Sequence, residues 1–129
     1  MAKREVKHPD KTSDTGPYSA GIISDNLLFV SGQAAIDLKT GQVVRGTIEE
    51  ETRLTLEHVG KVLKAGGCTF DDVLKSTVHL LDIKDFDRFN KVYVEFFKGV
   101  RPARTTVQSV LWNGIKVEID VVARVPASK

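Results

Sequence analysis

Cysteine is nearly absent: Cys68 is the only one in 129 residues. A disulfide within the chain is excluded, and a thiolate metal site lacks its usual ligands. Cys68 follows Gly66-Gly67 without a flanking His or Lys, which reads as a small structural residue. Histidine is scarce too, and His8, His58 and His79 share no ligand spacing. No charge of one sign dominates. The net charge is +2, aromatic residues make up 7%, and basic residues are scattered among acidic ones. A nucleic-acid binder needs a clustered basic face, so that class is disfavoured. No apolar run approaches the ~20 residues that span a bilayer. Met1 to His8 has no apolar core of a secretory signal, so a cytoplasmic protein is expected.

What is present suits one domain over residues 1–129, with 41% apolar and 28% charged residues. Residues 3–7 alternate loosely and predict a short edge strand, followed by a polar loop from His8 to Gly16. Gly16-Pro17-Tyr18-Ser19 sets Tyr18 in an extended turn. A half-buried ring at a strand start is the plainer reading of Tyr18, a site role the sharper one. Ala20–Ile23 and Leu27–Ser31 flank Ser24-Asp25-Asn26 as a hairpin. Ser31-Gly32-Gln33 ends the second strand, where Gly32 permits close backbone approach. Thr47 and Glu50 have capping-box spacing, and three glutamates suit the positive end of a helix. That helix runs to about Ala65 and stops at Gly66-Gly67. Val73–Leu81 predicts a strand rich in β-branched residues. Asp82 or Asp85 caps a second helix, whose stripe is Phe86, Phe89, Tyr93 and Phe96; Asn90 sits off that stripe.

The C-terminal part holds two strands. Val117, Ile119, Val121, Ala123 and Val125 alternate with polar residues in strict period two. The strand before it runs from Arg104 to Leu111. A three-residue loop, Trp112-Asn113-Gly114, would pair Leu111 with Ile115 and align the apolar faces of a hairpin. Glu118 then faces Gln108, and Thr106 faces Asp120. Arg104 lies on the Glu118 face, four residues along, about 13 Å away at the usual strand rise. The order β-β-β-α-β-α-β-β predicts an α+β fold, a mostly antiparallel six-stranded sheet with two helices on one face. Val110, Val122 and Leu74 or Thr77 on the uncovered face suggest self-association.

Arg104 offers a planar fork for a carboxylate, and Glu118 can position water or carry protons. A cross-strand ion pair on a solvated face is an equal alternative at this spacing. Ser19, Ser31 and Ser109 show no partner His or Lys arrangement, and Gly66-Gly67 lacks the Lys-Ser/Thr of a phosphate loop. Any enzyme here is expected to need neither metal nor bound cofactor.

The sequence resembles the YjgF/Rid family, also called L-PSP endoribonuclease-like, over nearly its whole length. The resemblance is carried by Gly16-Pro17-Tyr18-Ser19, Phe29-Val30-Ser31-Gly32-Gln33, Ala65-Gly66-Gly67, Phe70-Asp71-Asp72-Val73, Asn90-Lys91-Val92-Tyr93, Arg101-Pro102-Ala103-Arg104-Thr105 and Val117-Glu118-Ile119. It implies a chorismate-mutase-like fold and a homotrimer with clefts between subunits. It implies hydrolysis of 2-imino or enamino acids, such as 2-iminobutanoate and 2-iminopropanoate, to 2-oxo acids and ammonia. By matching position, Arg104 would clamp the substrate carboxylate and Glu118 would act with a water. Thr106 would line the site largely through its backbone, and Tyr18, Ser31, Gly32 and Asn90 match other cleft positions. A non-catalytic trimeric carboxylate-binding or stress-protective protein, or an endoribonuclease, are the alternatives. The loop Leu111-Trp112-Asn113-Gly114 departs from the Leu-Pro of many members.

Overall fold

The computed structural model describes residues 2–12 and 16–127. Residues 13–15 of the expected polar loop lie outside the described part. The strands are β1 (Arg4–Val6), β2 (Gly21–Ser24), β3 (Leu27–Gln33), β4 (Val73–Leu80), β5 (Ala103–Gln108) and β6 (Val117–Arg124). The helices are α1 (Ile48–Ala65) and α2 (Phe86–Phe96). The six strands form one sheet in the order β1-β2-β3-β6-β4-β5, antiparallel except for the parallel pair β4–β5. Both helices pack on one face of this α+β fold.

Local signals account for the elements. Asp25, at φ 52°, turns the two-residue connection between Ser24 and Leu27, which pair across it. Thr47 accepts from the Glu50 amide, and Glu50 accepts from the Thr47 amide, closing the predicted capping box. Gly67, at φ 82°, lies just past the end of α1. Ile48, Thr52, Leu56, Val59 and Leu63 recur at helical spacing along α1 and are all buried. The buried face is wider than that stripe and takes in Glu51, Thr55, His58 and Val62 as well, because α1 packs on α2 as well as on the sheet. Along β6, Val117, Ile119, Val121 and Ala123 are buried as the alternation requires.

The predicted β5–β6 hairpin is not formed. β4 lies between these strands: Ser76 pairs with Arg104 on one side and Val121 on the other, and His79 pairs with Val107 and Glu118. Leu111 therefore does not pair with Ile115, nor Glu118 with Gln108, nor Thr106 with Asp120, whose partner is Thr77. The physical cause is α2. A helix that follows β4 and packs back on the sheet delivers the next strand parallel to β4, through a right-handed crossover. Residues 109–116 then cross the end of β4. The Ser109 amide donates to the Leu80 carbonyl at 2.9 Å, and the Leu81 amide to the Lys116 carbonyl at 3.0 Å. Asn113 and Gly114 turn this crossing at φ 52° and 69°. Val110, expected on the uncovered sheet face, lies in this crossing, outside every strand.

Glu51 ties the crossing to α1. Its carboxylate, 1% exposed, accepts from the Lys116 amide at 3.0 Å, the Lys116 ammonium at 2.9 Å and the Gly46 amide at 3.1 Å. Glu51→Ala strips two backbone amides of their acceptor. We expect a loss of about 2–6 kcal/mol, at about 1–3 kcal/mol for each of the two unsatisfied groups. Urea unfolding measures it, and Glu51→Gln, which keeps an acceptor, is expected to lose less.

Candidate active site

The residues singled out from sequence fall into two groups on different parts of the subunit. The first group surrounds Glu118. Its neighbours along β6 are buried under the helices, so Glu118 projects from the opposite, helix-free face. There it lines a cavity of about 620 Å³ with His8, Lys11, Tyr18, Gly32 and Trp112. A Cβ built on Gly32 would stand 2.6 Å from the Glu118 Oε2 atom. Gly32 thus leaves the space in which this carboxylate rests. Tyr18 is 57% exposed, more open than a half-buried strand residue, and the Lys11 ammonium stands 5.3 Å from the centre of its ring. Ser31 does not line the cavity. Its hydroxyl donates to the Ser19 carbonyl at 2.6 Å, holding the turn that carries Tyr18.

The second group lies on β5, one of the two outer strands of the sheet, and on α2. Arg104 faces the helices. Its guanidinium carbon is 4.7 Å from the centre of the Tyr93 ring, 5.4 Å from Phe89 and 5.5 Å from Phe86, all on α2. Stacking on aromatic faces orients the planar fork. Among the described residues Arg104 makes no salt bridge. The Tyr93 hydroxyl, 2.7 Å from the Ser76 hydroxyl, is pushed up in pKa by burial, with Ser76 and Arg104 pulling the other way. The Thr106 hydroxyl is buried without a hydrogen-bond partner. Asn90 is half-buried on α2.

Arg104 and Glu118 therefore stand on opposite faces of the sheet with β4 between them, and the expected common face is corrected. A common face requires the hairpin register, which β4 removes. The crossover also creates a contact that sequence reading did not find. His79 of β4 lies beside the end of β5, and its Nδ1 is 2.8 Å from the Ser109 hydroxyl. On the same face, burial raises the pKa of Asp120 while His79 and Lys75 oppose the shift. Another missed contact joins His8 and His58, fifty positions apart and within 2.9 Å of each other. No spacing rule links residues so distant. Among the described residues no three His, Cys, Asp or Glu side chains are grouped to hold a metal ion. Cys68 is buried, and burial pushes its thiol up to about 11.

Comparison with known proteins fits this architecture. The model of the family described as Endoribonuclease L-PSP matches residues 9–125. A human protein named 2-iminobutanoate/2-iminopropanoate deaminase is 42% identical over 124 residues, covering 95% of this chain and 90% of its own. The crystal structure of YyfA from Yersinia pestis, of the conserved Rid protein family, superposes with a TM-score of 0.90 at 37% identity, covering 96% of this chain and all of the other. That of TdcF from E. coli, with bound serine, gives 0.86 at 30% identity, over 94% of this chain and 98% of the other.

Gly32→Ala tests the Glu118 seat. The added methyl must displace the carboxylate, which rests where it would go. We expect the protein to fold, with a loss of about 1–3 kcal/mol from overpacking. A crystal structure of the variant is expected to show Glu118 turned away from residue 32.

Proposed function

We propose, from the premise that the chain belongs to the endoribonuclease L-PSP family of YjgF/Rid proteins, that it is an imine deaminase. It converts 2-imino and enamino acids, 2-iminobutanoate and 2-iminopropanoate among them, to 2-oxo acids and ammonia. The observation that carries this reading is Arg104: a guanidinium stacked on three aromatic rings of α2, on an outer strand of the sheet, with no ion-pair partner among the described residues. Such a fork is free to take a ligand carboxylate bidentately.

Within one subunit Arg104 and Glu118 cannot reach one substrate. The reading therefore requires a second copy, whose β5 edge closes the cavity around Glu118, as in a homotrimer. Phe29, Leu74 and Val107 are exposed and apolar, and burial between copies would cover such side chains. Arg104 of one copy holds the carboxylate beside the imine carbon. Glu118 of the other takes a proton from water as the oxygen attacks that carbon, and the C=N bond becomes a C–N single bond. Return of that proton to nitrogen gives the carbinolamine. Transfer of its hydroxyl proton to nitrogen, again through Glu118, lets the C=O bond form as the C–N bond breaks, releasing ammonia and the 2-oxo acid. No redox change occurs, and neither metal nor cofactor enters. Thr106 and Asn90 lie on the Arg104 side of this cleft, Tyr18 and Gly32 on the Glu118 side, and Ser31 supports Tyr18. No described helix is long and apolar enough to cross a membrane, and the same reading places the protein in the cytoplasm.

A second reading, a carboxylate-binding protein without turnover, draws on the bound serine named for the TdcF structure. A coupled assay separates them. An amino-acid oxidase generates the imino acid, and release of the 2-oxo acid is followed. We expect acceleration by the wild type and a loss of about 100-fold in kcat/KM for Arg104→Ala, equivalent to hydrogen bonds to a charged group worth about 3 kcal/mol. Glu118→Gln is expected to lower kcat. Refolding the two inactive variants together is expected to restore part of the activity, because mixed assemblies contain clefts with both native residues. Binding of a 2-oxo acid without any turnover would establish the second reading instead.

A further inference from the structure

His8 and His58 form a hydrogen-bonded chain whose proton positions are dictated by its ends. The Asp10 amide donates to His8 Nδ1 at 3.1 Å, so that nitrogen carries no proton and His8 Nε2 does. His8 Nε2 lies 2.9 Å from His58 Nδ1 and donates to it. His58 Nε2 is 2.8 Å from the Ile36 carbonyl, which can only accept. Both rings are thus neutral, with the proton on Nε2. A further proton on either Nδ1 would face an N–H group, so every protonation breaks one link. The rings are 2% and 7% exposed.

The chain joins three separate segments: the N-terminal stretch with His8 and Asp10, helix α1 with His58, and the loop after β3 with Ile36. A Lys61–Asp10 ion pair adds to the first junction. His8, Lys11 and Ile36 all line the Glu118 cavity. The two walls that the chain ties together are therefore walls of that cavity. We propose that His8 and His58 are positioning residues that hold the N-terminal wall against the Ile36 wall, and that acidification releases this hold. The consequence for ligands rests on the reading of the Glu118 cavity as part of the active site; the hold itself does not.

The charged surroundings agree on the sign. Burial, His58, Lys61 and Lys11 lower the His8 pKa to about 4, against Asp10. Burial and Lys61 lower that of His58, against the Ile36 carbonyl, Asp10 and Glu57. A released histidine titrates near 6.5. Because the held form is the neutral one, the hold is complete above about pH 6.5 and weakens as pH falls from there toward 4. Asp10 stays ionised through this range, its pKa lowered chiefly by its bond to Lys61.

Nitrogen-15 NMR of the imidazoles and amide exchange at Asp10 test the hold on the full chain. Both rings are expected as neutral Nε2–H tautomers at pH 7. Protection of the Asp10 amide, corrected for intrinsic exchange, is expected to fall about 20-fold between pH 7 and pH 5. His8→Gln keeps a donor at the ε position and does not titrate, but it removes the Nδ1 acceptor of the Asp10 amide. Its protection is therefore expected to be lower than that of the wild type at pH 7 and to change less than about twofold between pH 7 and pH 5. An Nδ1–H tautomer, a ring titrating near 6.5, or a pH dependence shared by His8→Gln overturns the hold. The dissociation constant of 2-oxobutanoate then tests the link to the cavity. It is expected to weaken between pH 7 and pH 5 by about threefold more in the wild type than in His8→Gln. Equal weakening would leave the hold intact and overturn its control of the cavity. Failure of 2-oxobutanoate to bind the wild type at pH 7 would overturn the active-site reading, while the NMR result still judges the hold.

Discussion

The parallel pairing of β4 with β5 is the constraint on which the rest of the molecule depends. α2 imposes it by carrying the chain back over the sheet, and the last strand must then find the other edge of β4. Three consequences follow from this one arrangement. β5 becomes an outer strand, residues 109–116 must bridge the end of β4, and the buried Glu51 carboxylate anchors the bridge to α1. Arg104 and Glu118, fourteen residues apart in the chain, end on opposite faces of the sheet.

That separation shapes the chemistry. Each half of the candidate site is prepared by its own neighbours. The aromatic residues of α2 hold the Arg104 fork in place without neutralising it. The missing side chain of Gly32 gives the Glu118 carboxylate its seat beside an open cavity. A carboxylate and a guanidinium kept apart in one subunit do not satisfy each other as an ion pair, so neither neutralises the other. The cross-strand ion pair weighed from sequence alone is excluded within the subunit by the same geometry.

The cavity walls raise a different question of energetics. His8 and His58 are buried side by side, an arrangement that favours neutral rings. Their three hydrogen bonds tie segments that no regular secondary structure joins. A link of this kind is strong where every donor meets an acceptor and fails once an extra proton is added. Ionic contacts nearby, such as Lys61 with Asp10, are exposed and contribute little by comparison.

Much of this was legible in the residues themselves. The capping box at Thr47, the Gly66-Gly67 stop, the aromatic stripe of α2 and the alternation of β6 are local patterns, because a helix or a strand face is set by residues a few positions apart. The family resemblance rests on the same kind of contiguous motif. The partner of each strand is another matter. A hairpin between β5 and β6 satisfied every local rule, yet it lost to a β4 that needs neighbours on both edges and to the handedness of the α2 crossover. The seat of Glu118 on Gly32, the aromatic bed under Arg104 and the His8–His58 pair likewise join residues distant in the chain. Sequence alone determined which segments are helix or strand and which side chains can do chemistry. Only the tertiary structure decided which of them meet, because pairing across a sheet is a competition among distant segments that no local pattern encodes.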